Sequence, residues 1–302
     1  MRELVRLQSI TQVHDFLGLA KPKHPLVSVI PIDEKMTNAA FGDITFVLEM
    51  YQISLKSGFR GQLVYGRNSY DFEEGTMAFM KPGQTMKIEG TVPTSGEVGW
   101  TLLVHPDFLR KSDLGRTIDD HSFFSYQSNE ALHISDEEKG IVNDLIAKIK
   151  TEYSNNIDRH SQSVIVSTLE LLLSYSTRFY DRQFYTRTNL NKDHVAKFQD
   201  MLQAYFRHEK HLVSGIPSVA ECGDHMGMSG AYLSDLLKEE TGMGAQEHIH
   251  HFVVNKAKNQ LLNSNDTVSQ IAYSLGFEYP QHFSRVFKAK TGMSPGQFRK
   301  VG

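Results

Sequence analysis

An internal duplication near the C-terminus is the feature that most constrains how this chain folds. At an offset of 49 residues, Gly227 aligns with Gly276. After a one-residue insertion the offset becomes 50, and Thr241-Gly242-Met243 aligns with Thr291-Gly292-Met293. Repetition at a fixed period is the mark of a structural unit that has been copied. We therefore expect two similar units in series in the last third of the chain.

Each copy carries the same signals for starting and stopping a helix. Two segments, 218–221 and 267–270, have the sequence pattern of a capping box. A third segment, 294–297, has the same pattern with proline at the first helical position. A short helix then ends at the aligned glycine, which accepts a left-handed backbone at little cost. A second helix follows and runs into the Thr-Gly stop. Helix, tight turn and helix predict a helix-turn-helix unit, whose second helix can enter a DNA major groove.

A long helix is predicted between the two copies, from about Gln246 to Leu262. Its apolar positions recur at helical spacing: Ile249, Phe252, Val253, Ala257 and Leu261. A rigid spacer suits the geometry of DNA, because two recognition helices on one face of the duplex lie roughly 34 Å apart.

Residues 193–302 resemble the AraC/XylS family of bacterial regulators. The sequences IAYSLGF at 271–277 and HFSRVFKAKTGMSP at 282–295 carry the family signature, and SGAYLSDLLK at 229–238 is its counterpart in the first copy. The resemblance implies tandem helix-turn-helix units that bind double-stranded DNA in adjacent major grooves. It also implies an activator that contacts RNA polymerase, acts as a homodimer and carries an N-terminal cupin-like domain for an unknown small-molecule effector.

The candidate DNA contacts lie on the second helix of each copy. They are Ala231, Ser234 and Asp235 in the first copy, and Gln281, Ser284, Arg285 and Lys288 in the second. Arg285 would donate to guanine O6 and N7 or to a phosphate, although a solvated surface arginine is the alternative. Lys288 and Lys290 would bind phosphate or form a solvated charged face.

Charge differs between the two copies. The whole chain has a net charge of −3, yet from Lys256 onward basic residues outnumber acidic ones, whereas residues 193–255 are acidic. Asp235 stands where the family is often basic, and Val253 stands where it usually has arginine. A carboxylate near phosphates is repelled, although it can accept from cytosine N4. We therefore expect the second unit to supply most of the phosphate affinity.

The N-terminal part is predicted to be a small all-β sandwich or barrel, the cupin-like sensing domain at residues 1–134. Glycine and proline separate short apolar runs at Leu26–Ile32, Ile44–Ile53, Gln62–Tyr65, Met77–Met80 and Gly99–Val104. Several aromatic residues would either line a ligand pocket or build the core: Phe46, Tyr51, Phe59, Phe79 and Trp100.

Two helices are predicted at residues 135–181. The first starts at a capping box, Ser135 to Glu138, and its apolar positions are Ile141, Leu145, Ile146 and Ile149. The second, Gln162 to Asp181, could pack on the barrel, on the first helix or on a second subunit; the resemblance favours a dimer interface at Leu169, Leu172 and Leu173. Residues 182–192 are polar and aperiodic, which predicts a linker. The fold class is thus α+β and multidomain, with an all-α domain at 193–302.

Other classes are disfavoured by what the sequence lacks. A single cysteine, Cys222, permits no internal disulfide and reads as a core residue. The N-terminus lacks a signal peptide and no apolar run is long enough to span a bilayer, so we expect a cytoplasmic protein without a membrane segment. The 14 histidines show no paired-ligand spacing, so we predict no metal, no cofactor and no enzyme. A cupin-type enzyme with a helical appendage, and an interaction module that has lost DNA binding, remain the alternatives.

Overall fold

The computed structural model describes residues 3–32, 44–56, 75–87, 99–127, 130–155, 158–186 and 188–301. The chain divides into two compact units, Met1–Gln183 and Phe184–Gly302. All described strands lie in the first unit, and the described elements of the second are helices. The predicted α+β class with a helical C-terminal region is therefore confirmed. None of the described helices is both long and apolar enough to cross a membrane.

The described strands of the first unit form two sheets. Their bounds are β1 Glu3–Leu7, β2 Val27–Ile32, β3 Ile44–Leu48, β4 Tyr51–Lys56, β5 Thr76–Met80, β6 Thr85–Lys87, β7 Gly99–Val104 and β8 Leu132–His133. One sheet has the order β1-β3-β6, and the other, which is antiparallel, has the order β2-β7-β4-β5-β8. The described strands of the two sheets do not join into a closed barrel, so the barrel alternative of the sequence prediction is not confirmed.

A break in one apolar run explains why the sheets are separate. The run Ile44–Ile53 is not one strand, because the chain bends at Glu49 and Met50. As a result β3 lies in the three-stranded sheet and β4 in the five-stranded one. The predicted strand Gln62–Tyr65 lies outside the described residues, as does Phe59.

The α-helices that the structure describes beside these sheets are α1 Ile10–Phe16, α2 Pro106–Leu109, α3 Leu114–Thr117, α4 Asp136–Ser154 and α5 Ser161–Thr186. Successive side chains of a strand point to opposite faces, so one face of the five-stranded sheet carries Phe79 and Trp100. Trp100 Nε1 donates to Asn143 Oδ1 on α4 at 2.9 Å, and the Phe79 ring lies 6.1 Å from the ring of Tyr180 on α5. This face is therefore the one that the two long helices cover.

The long helices are tied into the first unit. At the start of α4, the predicted capping box forms between Ser135 and Glu138. On α5, three leucines are almost fully buried within the chain: Leu169 1%, Leu172 0% and Leu173 0% exposed. A side chain that is already covered cannot form a subunit interface, so the prediction of a dimer through these leucines is wrong. Ile141 is exposed, and its neighbour Val142 takes the buried position.

The stretch predicted as a linker, residues 182–192, is helical where the structure describes it. Helix α5 continues to Thr186, and α6 begins at Thr188. Polar residues do not break a helix by themselves, and there is no glycine or proline between Ser161 and Ser214. The Arg182 guanidinium fastens the end of α5 through two bonds to the Glu138 carboxylate, at 2.9 and 2.8 Å. The domain boundaries of the sequence analysis stay predictions.

The second unit consists, in its described residues, of successive helices. They are α6 Thr188–Arg207, α7 Lys210–Ser214, α8 Val219–Met226, α9 Gly230–Thr241, α10 Ala245–Asn263, α11 Val268–Ser274, α12 Pro280–Thr291 and α13 Pro295–Val301. Along α10, Val253, Ala257 and Leu261 join a buried cluster that includes Phe283 and Phe287 of α12. The predicted connecting helix is confirmed, and α12 is held on it by apolar packing.

Candidate nucleic-acid interface

The duplication seen in the sequence is realised as two copies of one backbone motif. Helices α8 and α9 form the first copy, and α11 and α12 form the second. Ser218 and Thr267 cap the leading helices, each with its predicted partner three residues on. Gly227 and Gly276 have φ of 74° and 87°. At Gly276 a Cβ would also lie 2.7 Å from the carbonyl oxygen of His211, so glycine is required there for space as well as for conformation.

Helix α12 has one buried side and one side open to solvent. Phe283, Val286 and Phe287 are buried against α10 and α13. Gln281, Arg285 and Lys288 recur at helical spacing on the other side and are exposed, with Ser284 half-buried between them. Four of the predicted contact residues therefore share one face.

Arg285 is available on that face. Among the residues that the structure describes, its guanidinium makes no hydrogen bond and no ion pair. Its five N–H donors form a planar fork that matches the two acceptors of guanine or a phosphate. Gln281, one turn earlier, offers the donor and acceptor that an adenine edge requires. The exposed face of α12 is chemically suited to the major groove.

The first copy presents a different face. Ala231, Ser234 and Asp235 on α9 are each half-buried. The Ser234 hydroxyl accepts a hydrogen bond from the backbone N–H of Ala245, at 3.2 Å. It thereby satisfies a donor in the first turn of α10 that would otherwise lack a partner. Ser234, which the sequence predicts as a DNA contact, therefore has a structural role that its local sequence does not reveal.

The helices that follow the two copies, α10 and α13, are capped by different residues. The residue before α10 is Gly244, which has no side chain to cap it. The aligned residue before α13 is Ser294, whose hydroxyl accepts from the N–H of Gln297 at 3.3 Å. Pro295, aligned with Ala245, has no N–H to donate. Ser284, the counterpart of Ser234, is therefore released from the capping role.

This difference gives a matched pair of substitutions. Ser234→Ala should lower the free energy of unfolding by about 0.5–2 kcal/mol, because the start of α10 loses its cap. Ser284→Ala should change it by less than about 0.5 kcal/mol, as surface substitutions generally do. Urea unfolding followed by circular dichroism measures both. Equal effects of the two substitutions would show that Ser234 does not cap α10.

Two basic residues near the C-terminus are engaged within the unit. Lys290 Nζ lies 2.9 Å from Glu247 Oε1 on α10, and this hydrogen bond lowers the pKa of the Glu247 carboxyl. Arg299 donates to the carbonyl oxygens of Leu261 and Asp266, at 3.1 and 2.6 Å. These two side chains brace α12 and α13 against their neighbours. Arg285 and Lys288 are the cations that remain exposed on the open face of α12.

Two histidines of α10 lie within hydrogen-bond distance of nearby side chains. His248 Nε2 lies 2.7 Å from the Thr241 hydroxyl, and His250 Nε2 lies 2.8 Å from Gln246 Nε2. Burial lowers the pKa of both imidazoles. Within the described ranges there is no group of three or more His, Cys, Asp or Glu residues that could hold a metal ion.

Cys222 lies inside α8 and is 1% exposed. Burial, followed by the charge of Glu221, raises the pKa of the thiol to about 11. Because the thiolate is the reactive form, we expect the folded protein to react with Ellman's reagent at pH 8 only after denaturation. Absorbance at 412 nm with and without guanidinium chloride checks this. Full reaction of the folded protein within minutes would contradict it.

The four predicted pocket aromatics are not brought together. Phe46 belongs to a buried cluster with Ile30 and Leu103, on the side of the five-stranded sheet away from Trp100. Tyr51 donates from its hydroxyl to Asp119 at 3.0 Å, and the Phe79 ring packs against Phe123. Tyr51, Phe79 and Trp100 thus lie on the face that the helices cover. The contacts of Tyr51 and Phe79 fit the core alternative, whereas Trp100 lines a pocket beside α4. Their identity as aromatic residues could not show which face they would take.

The opposite face of that sheet carries a buried polar group that the sequence analysis missed. Gln52 Nε2 donates to Ser54 Oγ at 3.0 Å, and Ser54 Oγ lies 3.0 Å from Thr101 Oγ1. Gln52 and Ser54 are 8% and 2% exposed. The alternation of these residues with Tyr51, Ile53 and Leu55 was the available signal.

Known proteins resemble the C-terminal part of the chain. The helix-turn-helix domain family HTH_18 matches residues 222–301. The uncharacterized HTH-type transcriptional regulator YfiF of Bacillus subtilis is 30% identical over 141 residues, which are 47% of this chain and 41% of that protein. The uncharacterized HTH-type transcriptional regulator SAS0078 of Staphylococcus aureus is 27% identical over 138 residues, 46% of this chain and 17% of that protein.

The chain thus spans less than half the length of these curated relatives. Among solved structures, the C-terminal domain of the two-component response regulator yesN from Fusobacterium nucleatum is 24% identical and has a TM-score of 0.30. That comparison covers 33% of this chain and 96% of that one. Together with the paired motifs described above, the family match shows that the C-terminal region of this chain contains a helix-turn-helix domain of the AraC type.

Proposed function

We propose that the protein is a sequence-specific DNA-binding transcription regulator. The observation that carries this proposal is the open face of α12, where Gln281, Arg285 and Lys288 are exposed side by side. In this role Arg285 pairs with guanine, Gln281 contacts a neighbouring base and Lys288 neutralises a phosphate. Helix α10 has 19 residues and is about 28 Å long, which is close to one turn of the duplex.

The two helix-turn-helix copies contribute unequally in this proposal. The second copy offers three exposed polar side chains on one face of α12. The predicted contacts of the first copy are half-buried, and one of them, the Ser234 hydroxyl, caps α10. The acidic surroundings of α9 favour a second candidate role for the first unit, contact with a protein partner. RNA polymerase is the partner that the family resemblance implies, with activation as the outcome.

The N-terminal unit is proposed to act as a cupin-like sensing and dimerisation domain. A homodimer would use the exposed side of α5, where Val164 and Leu171 are 44% and 46% exposed and stand seven residues apart.

A binding selection on random duplex DNA tests the proposed function. Full-length protein should enrich a motif with two elements centred about ten base pairs apart. Affinity for that motif should fall steeply as salt increases, because phosphate contacts release counterions. The same weak affinity for every duplex would overturn sequence-specific binding and favour the interaction module.

A further inference from the structure

A pocket of about 400 Å³ opens between α4 and the five-stranded sheet. Pro31, Leu55 and Trp100 form its apolar floor at the ends of three adjacent strands. Lys139, Asn143 and Lys150 of α4 stand on its other side. This volume is in the range of small-molecule sites. The pocket lies on the opposite side of the sheet from the buried polar group at Gln52.

Hydrogen bonds hold the walls of the pocket in place. The hydroxyl of Tyr153, near the end of α4, accepts from the backbone N–H of Val29 at 3.0 Å. The Trp100 indole N–H donates to Asn143 Oδ1 at 2.9 Å, which fixes the ring at the floor. At Gly99, with φ of 149°, a Cβ would lie 1.9 Å from the carbonyl oxygen of Leu55. Only glycine allows these strand ends to approach so closely, and the site is therefore preformed.

Two lysines are the charged residues among the described residues that line the pocket. Lys139 and Lys150 are eleven residues apart on α4, which is close to three full turns, so both lie on the same side of the helix about 16 Å apart. No carboxylate is among the residues that line the pocket in the described part of the chain. Asp136 offsets part of the charge of Lys139, at 3.1 Å, and is itself exposed to solvent.

We propose that this pocket binds a small organic anion with an aromatic or aliphatic body, such as a carboxylate. The body of the ligand lies against Trp100 and Leu55, and its anionic group is held by Lys150. The first turn of α4 carries Glu138, which holds Arg182 at the end of α5. A ligand that moves α4 therefore acts on that ion pair. Its role as the effector rests on the proposed function, whereas the binding itself does not.

Trp100 is the only tryptophan in the chain, so its fluorescence reports directly on the pocket. Full-length protein is titrated, without DNA and at constant ionic strength, with 3-phenylpropionate, octanoate and 2-naphthoate, and with the primary amide of each. At least one acid should give a saturable change in emission, and its amide should bind at least tenfold more weakly. Lys150→Gln should weaken binding of that acid at least tenfold, while Lys148→Gln, an exposed lysine of α4 outside the pocket, should leave it unchanged.

The outcomes separate the site from its role. The absence of a saturable response to any of the three acids would overturn the pocket as an anion site, and so would equal binding of acid and amide. Equal weakening by Lys150→Gln and Lys148→Gln would do the same. Binding that leaves the affinity for the selected duplex unchanged would keep the site but overturn its effector role. The failure of any duplex to be selected would instead contradict the proposed function alone.

Discussion

Replacement of Arg285 by alanine should reduce the affinity for the selected duplex roughly 5- to 150-fold, which corresponds to the loss of about 1–3 kcal/mol from one bidentate base contact. The side chain is exposed on α12 and engaged by no other described group, so its removal leaves the fold intact. Affinity for a mixed-sequence duplex should change much less. Fluorescence anisotropy with both duplexes at one salt concentration measures the two effects together.

Two further variants test this interpretation. Arg285→Lys keeps the charge but loses the planar fork, so its affinity for mixed duplex should match that of wild type while its affinity for the selected duplex stays reduced. Arg178→Ala, which removes an exposed arginine from α5, should leave both affinities unchanged. An equal loss on selected and mixed duplex in Arg285→Ala would show that Arg285 contacts a phosphate and no base edge.

Replacement of Phe287 by alanine should have the largest effect on stability. Phe287 lies on the opposite side of α12 from Arg285, is fully buried, and packs against Phe283 and Phe298 at ring distances of 5.7 and 5.4 Å. Removing a buried phenylalanine costs about 3–5 kcal/mol, from lost burial and the cavity left behind. Urea unfolding followed by circular dichroism at 222 nm measures this loss in the free energy of unfolding, because the second unit is helical.

The matched control for Phe287 is Tyr273→Ala, an aromatic residue of α11 that is 56% exposed. It should change the free energy of unfolding by less than about 0.5 kcal/mol. A cost below 1 kcal/mol for Phe287→Ala would show that α12 does not depend on its buried side, and the open face would then have no fixed orientation.

Local signals in the sequence predicted the helix-turn-helix region well. The caps at Ser218 and Thr267 depend on residues three positions away, and the glycines that follow are set by backbone conformation. The exposed side of α12 also followed from helical spacing, because the phenylalanines Phe283 and Phe287 identify the buried side. Each of these features is decided within a few residues of chain.

Features that depend on distant parts of the chain could not be predicted in this way. Ser234 faces the backbone N–H of Ala245, eleven residues later, so its role depends on how α9 meets α10. The apolar and polar residues around Tyr51 and Phe79 alternate as expected for strands. Only tertiary packing decides that the face carrying these two rings meets the helices. At the start of the stretch predicted as a linker, Arg182 pairs with Glu138 and Tyr185 is exposed to solvent. This polar pattern concealed the continuation of helix α5 to Thr186.

Methylation protection of guanine N7 on the selected duplex tests the paired contact most directly, because N7 faces the major groove. The bound protein should protect guanines in two patches about ten base pairs apart on one face of the DNA. Arg285→Ala should remove protection from one patch, the stronger of the two, and leave the other. If the wild-type protein protects no guanine or only one patch, paired recognition by two helix-turn-helix copies is contradicted. If protection is identical in wild type and Arg285→Ala, base recognition by α12 is contradicted.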